Sequence, residues 1–105
     1  MKTTMFTLAA LAVALSSSSA FAAGTQDLAQ KKNCLACHAL DKKIVGPAYK
    51  DVAAKYKGQA GAEAKLAAKI MAGGSGVWGP VPMPANTQVS PAEAAELAKW
   101  VLTIK

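Results

Sequence analysis

The sequence predicts an all-α fold with about four helices. In four stretches the apolar residues recur at the three- and four-residue spacing of helices, and Gly, Pro or Ser stands near their ends. No stretch shows the strict alternation of apolar and polar residues that is typical of a half-buried strand. The chain has 105 residues, which is enough for one small domain.

The first 22 residues have the features of a secretory signal peptide. Lys2 supplies a positive charge, Met5 to Leu15 form an apolar run, and Ala20-Phe21-Ala22 has the small-x-small pattern of a cleavage site. A membrane anchor is the alternative, but the run is shorter than the roughly 20 residues that span a bilayer, and serines interrupt it. We therefore predict cleavage after Ala22, a domain over residues 23–105, and no membrane span in the mature protein.

Two helices are predicted in the first half of the mature chain. Thr25 can cap a helix that runs through Leu28 and Lys32. Pro47 can lie in the first turn of a second helix, which Gly58 ends. The apolar and aromatic positions of this second helix are Tyr49, Val52, Ala53 and Tyr56.

Two further helices are predicted in the second half. One covers about Ala62 to Met71 and ends at Gly73-Gly74. The other begins with the capping box Ser90-Pro91-Ala92-Glu93. Its apolar stripe consists of Ala94, Leu97, Val101 and Ile104. The connection between the two helices is long for so small a domain, and long loops in compact domains are usually functional.

The composition of the mature chain indicates that something besides its core must stabilise it. Both phenylalanines, Phe6 and Phe21, precede the cleavage site, and 83 residues remain. Two cysteines cannot form the several disulfides of small secreted domains. A covalently bound cofactor would supply the missing stabilisation. Without Lys2, 11 lysines face six acidic residues, so the polypeptide carries a net charge of +5.

The two cysteines belong to the motif C-x-x-C-H, which attaches haem in c-type cytochromes. On a helical turn Cys34, Cys37 and His38 share one face. The cysteines can then form thioethers with the two haem vinyl groups, while the histidine binds the iron from the same side.

Other uses of this motif fit the sequence less well. A zinc site normally takes four ligands, and the chain has two cysteines and one histidine. A thioredoxin-like motif belongs near a strand-helix-strand pattern, which this chain lacks. A plain disulfide remains possible, but it leaves His38 without a role.

The second axial ligand is expected in the long loop. The mature chain contains Met71, which continues the third helix, and Met83, which prolines flank in the segment GPVPMP. Because prolines restrict the backbone, they can hold Met83 over the haem without secondary structure. We predict Met83 as the ligand, with Met71, a water or a lysine as alternatives. Ligands at both axial positions favour electron transfer over catalysis.

Three segments accompany the C-x-x-C-H motif: VGPAYKDVAAK at residues 45–55, GVWGPVPMP at residues 76–84, and LAKWVL at residues 97–102. Together they resemble the small bacterial class I cytochromes of the cytochrome c-551 (cytochrome c8) type, over essentially residues 23–105. This resemblance implies the class I cytochrome c fold, in which about four helices surround one covalently bound haem c.

The resemblance also implies roles for four residues around the haem. The proline that matches Pro47 accepts a hydrogen bond from the proximal histidine through its carbonyl group. The indole N–H at the Trp78 position approaches a haem propionate, and an asparagine that matches Asn86 lies near the ligand sulfur. Lys69 stands where some relatives carry an arginine that pairs with a propionate, and a lysine cannot make that bidentate contact.

The expected function is therefore periplasmic electron transport with no enzymatic activity. The resemblance implies partners in a respiratory chain that includes denitrification: a quinol-oxidising cytochrome complex as donor, and nitrite reductase or a terminal oxidase as acceptor. Lysines 31, 32, 42 and 43 could steer an acidic partner, and an apolar rim around the haem is the competing docking surface. We expect a monomer that binds no nucleic acid. A haem peroxidase or gas-binding protein is the second hypothesis.

Overall fold

The computed structural model describes residues 19–105, and the part of the chain that it describes is all-α. Its four helices are α1 (Ser19–Lys31), α2 (Tyr49–Tyr56), α3 (Ala62–Ala72) and α4 (Pro91–Val101), and a 3-10 turn covers Cys34–Ala36. Apart from two isolated bridges, these residues form no β-structure. The predicted fold class is confirmed. The apolar run behind the signal-peptide prediction lies outside the described residues.

Helix α1 begins six residues before Thr25, so the prediction that Thr25 caps it was wrong. Alanines dominate the residues that precede Thr25, and alanine has the strongest helix propensity. Thr25 instead lies inside the helix and is fully buried. Its hydroxyl group donates a hydrogen bond of 3.3 Å to the carboxylate of Glu96 on α4. Thr25 therefore helps α1 to dock on α4.

Helices α2 and α3 begin and end close to the predicted positions. Helix α2 starts at Tyr49 because Ala48 still has extended backbone, so Pro47 precedes the helix and is not in its first turn. At the C-terminal end of α3, the N–H of Gly73 donates to the carbonyl of Lys69 at 2.7 Å. Gly73 has φ of 70°, a left-handed value that favours glycine.

Helix α4 contributes five of the ten buried residues in the core cluster of residues 19–105. Its capping box is present as predicted: the Ser90 hydroxyl accepts from the N–H of Glu93, and the Glu93 carboxylate accepts from the N–H of Ser90. Helices α1, α2 and α3 all pack against α4. The buried residues of α4 are Ala94, Leu97, Ala98, Trp100 and Val101. Ile104 lies beyond the helix end and is only partly buried.

Candidate functional site

A cavity of about 730 Å³ lies between the C-x-x-C-H segment, parts of α2, α3 and α4, and the loop that follows α3. Most of its lining side chains are apolar. All eight residues that the sequence analysis selected line this cavity: Cys34, Cys37, His38, Pro47, Lys69, Trp78, Met83 and Asn86. Cys34 and Met83, which are 49 positions apart along the chain, thus meet at one site. Met71 is exposed on α3 and is not part of the lining.

A short helical turn arranges the C-x-x-C-H segment. Asn33 has a left-handed backbone, with φ of 65°, which ends α1 and starts the turn in a new direction. The carbonyl of Cys34 then accepts hydrogen bonds from the N–H groups of Cys37 at 3.2 Å and His38 at 3.0 Å. The turn brings the three motif side chains to the cavity.

The two thiols are not joined in a disulfide and are partly buried. Burial raises the pKa of the Cys34 thiol, and a hydrogen bond with the Tyr49 hydroxyl opposes part of that rise. A redox-active C-x-x-C thiol needs a lowered pKa. Over residues 19–105 the fold also lacks the strand-helix-strand unit that accompanies thioredoxin-like motifs.

The imidazole of His38 is held in one tautomer and one position. Its Nδ1 lies 2.8 Å from the carbonyl oxygen of Pro47. Because a carbonyl can only accept, Nδ1 carries the proton, and the Nε2 lone pair remains available to a metal. A Cβ atom on Gly46 would lie 2.5 Å from Cε1 of the ring. The ring therefore occupies space that only glycine leaves open.

Aromatic residues support the other side of this histidine. The rings of His38 and Tyr49 are stacked, with centroids 4.8 Å apart and planes at 19°. Trp100 meets Tyr49 edge-on at 5.5 Å. The sequence pattern predicted Tyr49 only as part of a helix face. Its position two residues beyond Pro47 was the available signal, since it places the ring close to whatever the Pro47 carbonyl holds.

Met83 is held by paired backbone hydrogen bonds. Its N–H donates to the carbonyl of Gly74 at 2.8 Å, and the N–H of Gly74 donates to the carbonyl of Met83 at 2.9 Å. A side chain on Gly73 would collide with the Met83 carbonyl oxygen. The glycines at the end of α3 therefore let the segment that contains Met83 approach the helix end closely. In the sequence these glycines predicted only the end of a helix.

Asn86 and Trp78 have defined contacts around the cavity. The Asn86 side-chain amide donates to the carbonyl of Ile70 at 2.8 Å, which ties the loop to α3. Trp78 is 43% exposed, too much for a core residue, and the Lys55 ammonium lies 5.5 Å from its ring centroid. The ammonium of Lys69 lies beside Gly74, since a Cβ atom on Gly74 would be 2.7 Å from Nζ of Lys69.

Two structural features are absent from residues 19–105. No group of three or more His, Cys, Asp and Glu side chains is arranged to hold a metal ion there. No helix in the same range is long and apolar enough to cross a membrane.

The Cytochrome c family profile matches residues 22–105. The chain belongs to the cytochrome c family. It is 62% identical to cytochrome c-551 of Pseudomonas aeruginosa, over 82% of each chain. It is 48% identical to cytochrome c-551 of Stutzerimonas stutzeri, over the full length of both.

Solved structures agree with these relationships. The crystal structure of cytochrome c552 from Nitrosomonas europaea has a TM-score of 0.75 and 56% identity, and the match covers 76% of this chain and 99% of that chain. The chain is thus a small class I c-type cytochrome of the c-551 type, with the all-α cytochrome c fold and one covalently bound haem c. Its relatives are electron-carrier cytochromes.

Proposed function

We propose that this cytochrome is a periplasmic electron carrier whose haem is attached through Cys34 and Cys37 and ligated by His38 and Met83. One observation carries the proposal: all four side chains line the same cavity. The donor set fits the group, since two thiols, an imidazole nitrogen and a thioether sulfur are what a c-type haem requires. The bound haem supplies a reversible one-electron iron couple.

Each protein group has a separate task in this proposal. Pro47 fixes the tautomer of His38, so that the Nε2 lone pair would be free to bind the haem iron. The stacked ring of Tyr49 and the close backbone of Gly46 prevent the imidazole from turning. The Gly74–Met83 pair restrains the methionine. A site that is rigid on both sides changes little between oxidation states, which favours rapid electron transfer.

Trp78, Lys69 and Asn86 are proposed to act around the haem periphery. Trp78 and Lys69 line the cavity and carry the N–H donors that propionates need. Asn86 anchors the loop three residues beyond Met83. Since its side-chain amide already donates to a backbone carbonyl, its main contribution is to hold the loop in place.

The proposed docking surface is an apolar rim beside the cavity. Its residues are roughly half exposed and lie in the two loops that border the site: Ile44, Val45, Val77, Trp78 and Val81. Lysines 42 and 43 are exposed next to Ile44 and can attract an acidic partner before contact. Suitable partners are a quinol-oxidising cytochrome complex as donor, and nitrite reductase or a terminal oxidase as acceptor. We propose that the carrier is a monomer.

Absorption spectra of the natively matured protein test the proposal. We expect a c-type spectrum, a sulfur-to-iron charge-transfer band in the oxidised form, and no rapid change when carbon monoxide is added to the reduced form. Rapid carbon monoxide binding would instead favour a haem peroxidase or gas-binding protein, which needs an open distal position. N-terminal sequencing of the mature protein tests export: we expect Ala23 as the first residue.

A further inference from the structure

Gln88 connects the end of α1 to the loop that carries Met83. Its side-chain Nε2 donates to the carbonyl of Lys32 at 3.0 Å and to Oδ1 of Asn86 at 3.1 Å. In return, Nζ of Lys32 donates to the carbonyl of Gln88 at 3.0 Å. We call these three residues the Gln88 bridge. It spans 56 positions of sequence.

Both ends of the Gln88 bridge are anchored to other parts of the fold. Lys32 stands two residues before Cys34, and its ammonium lies 3.4 Å from the carboxylate of Glu93, which caps α4. Asn86 stands three residues after Met83 and donates to Ile70 on α3. The bridge therefore joins the segment that attaches the haem to the loop that supplies the distal ligand.

The loop needs such a link because its own hydrogen bonds do not reach the C-x-x-C-H segment. The Gly74–Met83 pair and the contact of Gly76 with Gly79 close the loop upon itself. They restrain its shape, but they do not determine its distance from Cys34. The reciprocal contacts of Lys32 and Gln88 do restrict that distance.

We propose that Gln88 is a positioning residue that keeps the Met83 loop closed over the haem. The inference rests on the proposed ligation by Met83. Loss of the Gln88 side chain lets the loop open more often, and an external ligand then reaches the iron more easily. Gln88 borders the cavity, but it is exposed and its side-chain hydrogen bonds go to Lys32 and Asn86, so it acts through the loop and not on the iron itself.

The test is a titration of the oxidised holoprotein with imidazole, in the variants Gln88→Ala and Gln88→Glu. Gln88→Glu keeps the size of the side chain but replaces the donor with a second acceptor. We expect both variants to bind imidazole about tenfold more tightly than wild type, which corresponds to about 1.4 kcal/mol and to the loss of about two modest hydrogen bonds. Gln59→Ala is the matched control, because Gln59 donates a 3.0 Å hydrogen bond to the Lys55 carbonyl and does not line the cavity.

Imidazole affinities equal to wild type in both Gln88 variants would overturn the proposal, even if their melting temperatures fell. An equal rise in Gln59→Ala would also overturn it, since the effect would then be general destabilisation. Met83→Ala, measured in the same series, separates the two proposals. If Met83→Ala retains the sulfur-to-iron band, the ligand assignment fails; if it loses the band and Gln88→Ala behaves as wild type, only the positioning role fails.

Discussion

The rings of His38 and Tyr49 lie face to face, 4.8 Å between centroids, and this contact links the proposed iron ligand to the core. Tyr49 in turn meets Trp100 of α4 edge-on, and both residues are buried. The histidine is thus positioned by the same packing that stabilises the fold. Substitutions at this contact should affect stability and the haem together.

Gly46→Ala tests how tightly the histidine is enclosed. The new methyl carbon would lie 2.5 Å from Cε1 and 2.8 Å from Nδ1 of His38, so the ring or the backbone must shift. We expect a loss of about 1–3 kcal/mol in the free energy of unfolding, as for other overpacked sites, and a changed absorption spectrum. Gly24→Ala is the control, since no atom lies within 4 Å of its Cβ position. Wild-type stability and spectrum in Gly46→Ala would show that the ring is not confined.

The two methionines of the mature chain allow a direct comparison of axial ligands. Met83→Ala should remove the sulfur-to-iron band and lower the reduction potential, because a thioether ligand favours ferrous iron. Met71→Ala should leave both unchanged, because Met71 is exposed and lies outside the cavity lining. Spectra and redox titrations of the two variants measure the difference. Loss of the band in Met71→Ala would contradict the assignment of Met83.

The chain without haem should be largely unfolded at ordinary temperature. Its core contains many alanines, and the cavity of about 730 Å³ would remain without its occupant. Small domains have a small free energy of unfolding, because they bury little surface. The double variant Cys34→Ala/Cys37→Ala should therefore show weak helical circular dichroism. A cooperative thermal transition in that variant would mean that the polypeptide core is sufficient for folding without haem.

Stability should depend on pH through Glu93. The N–H of Ser90 donates to the Glu93 carboxylate, and this contact, together with Lys32, lowers the pKa of Glu93 in the folded protein. A carboxylate with a lowered folded pKa contributes stability above its unfolded pKa and loses that contribution as pH falls through the folded pKa. Glu93→Gln should therefore melt below wild type at pH 7 and close to it in acid. A difference in melting temperature that is constant with pH would exclude this linkage.

Electron transfer to an acidic acceptor should slow as salt is added, because the Debye length falls from about 30 Å at 0.01 M to about 8 Å at 0.15 M. Lys42→Glu should weaken this dependence, since Lys42 is exposed and lies beside the apolar rim in sequence. Lys105→Glu is the matched control at the end of the chain. Lys32 is unsuitable, because its ammonium already binds Gln88 and Glu93. A stopped-flow rate constant that is flat or rises with salt would indicate that apolar docking controls association.

The sequence by itself determined the elements and the chemistry that short patterns encode. The capping box at Ser90 and the stop at Gly73 are local signals, because each satisfies backbone groups within one turn of its own helix. The C-x-x-C-H spacing similarly specifies which side chains share a face. These features were therefore predictable without any knowledge of distant contacts.

Only the tertiary structure decided which residues from different helices and loops contact one another. Thr25 lies inside a helix and donates a hydrogen bond to Glu96. The ring of Tyr49 stacks on His38, and the side chain of Gln88 donates a hydrogen bond to the carbonyl of Lys32. Each of these partners depends on how helices and loops pack, and no periodicity of the sequence records such a distance. The role of Gly46 was likewise not predictable from the sequence. Its lack of a side chain matters only because folding brings the His38 ring against its backbone.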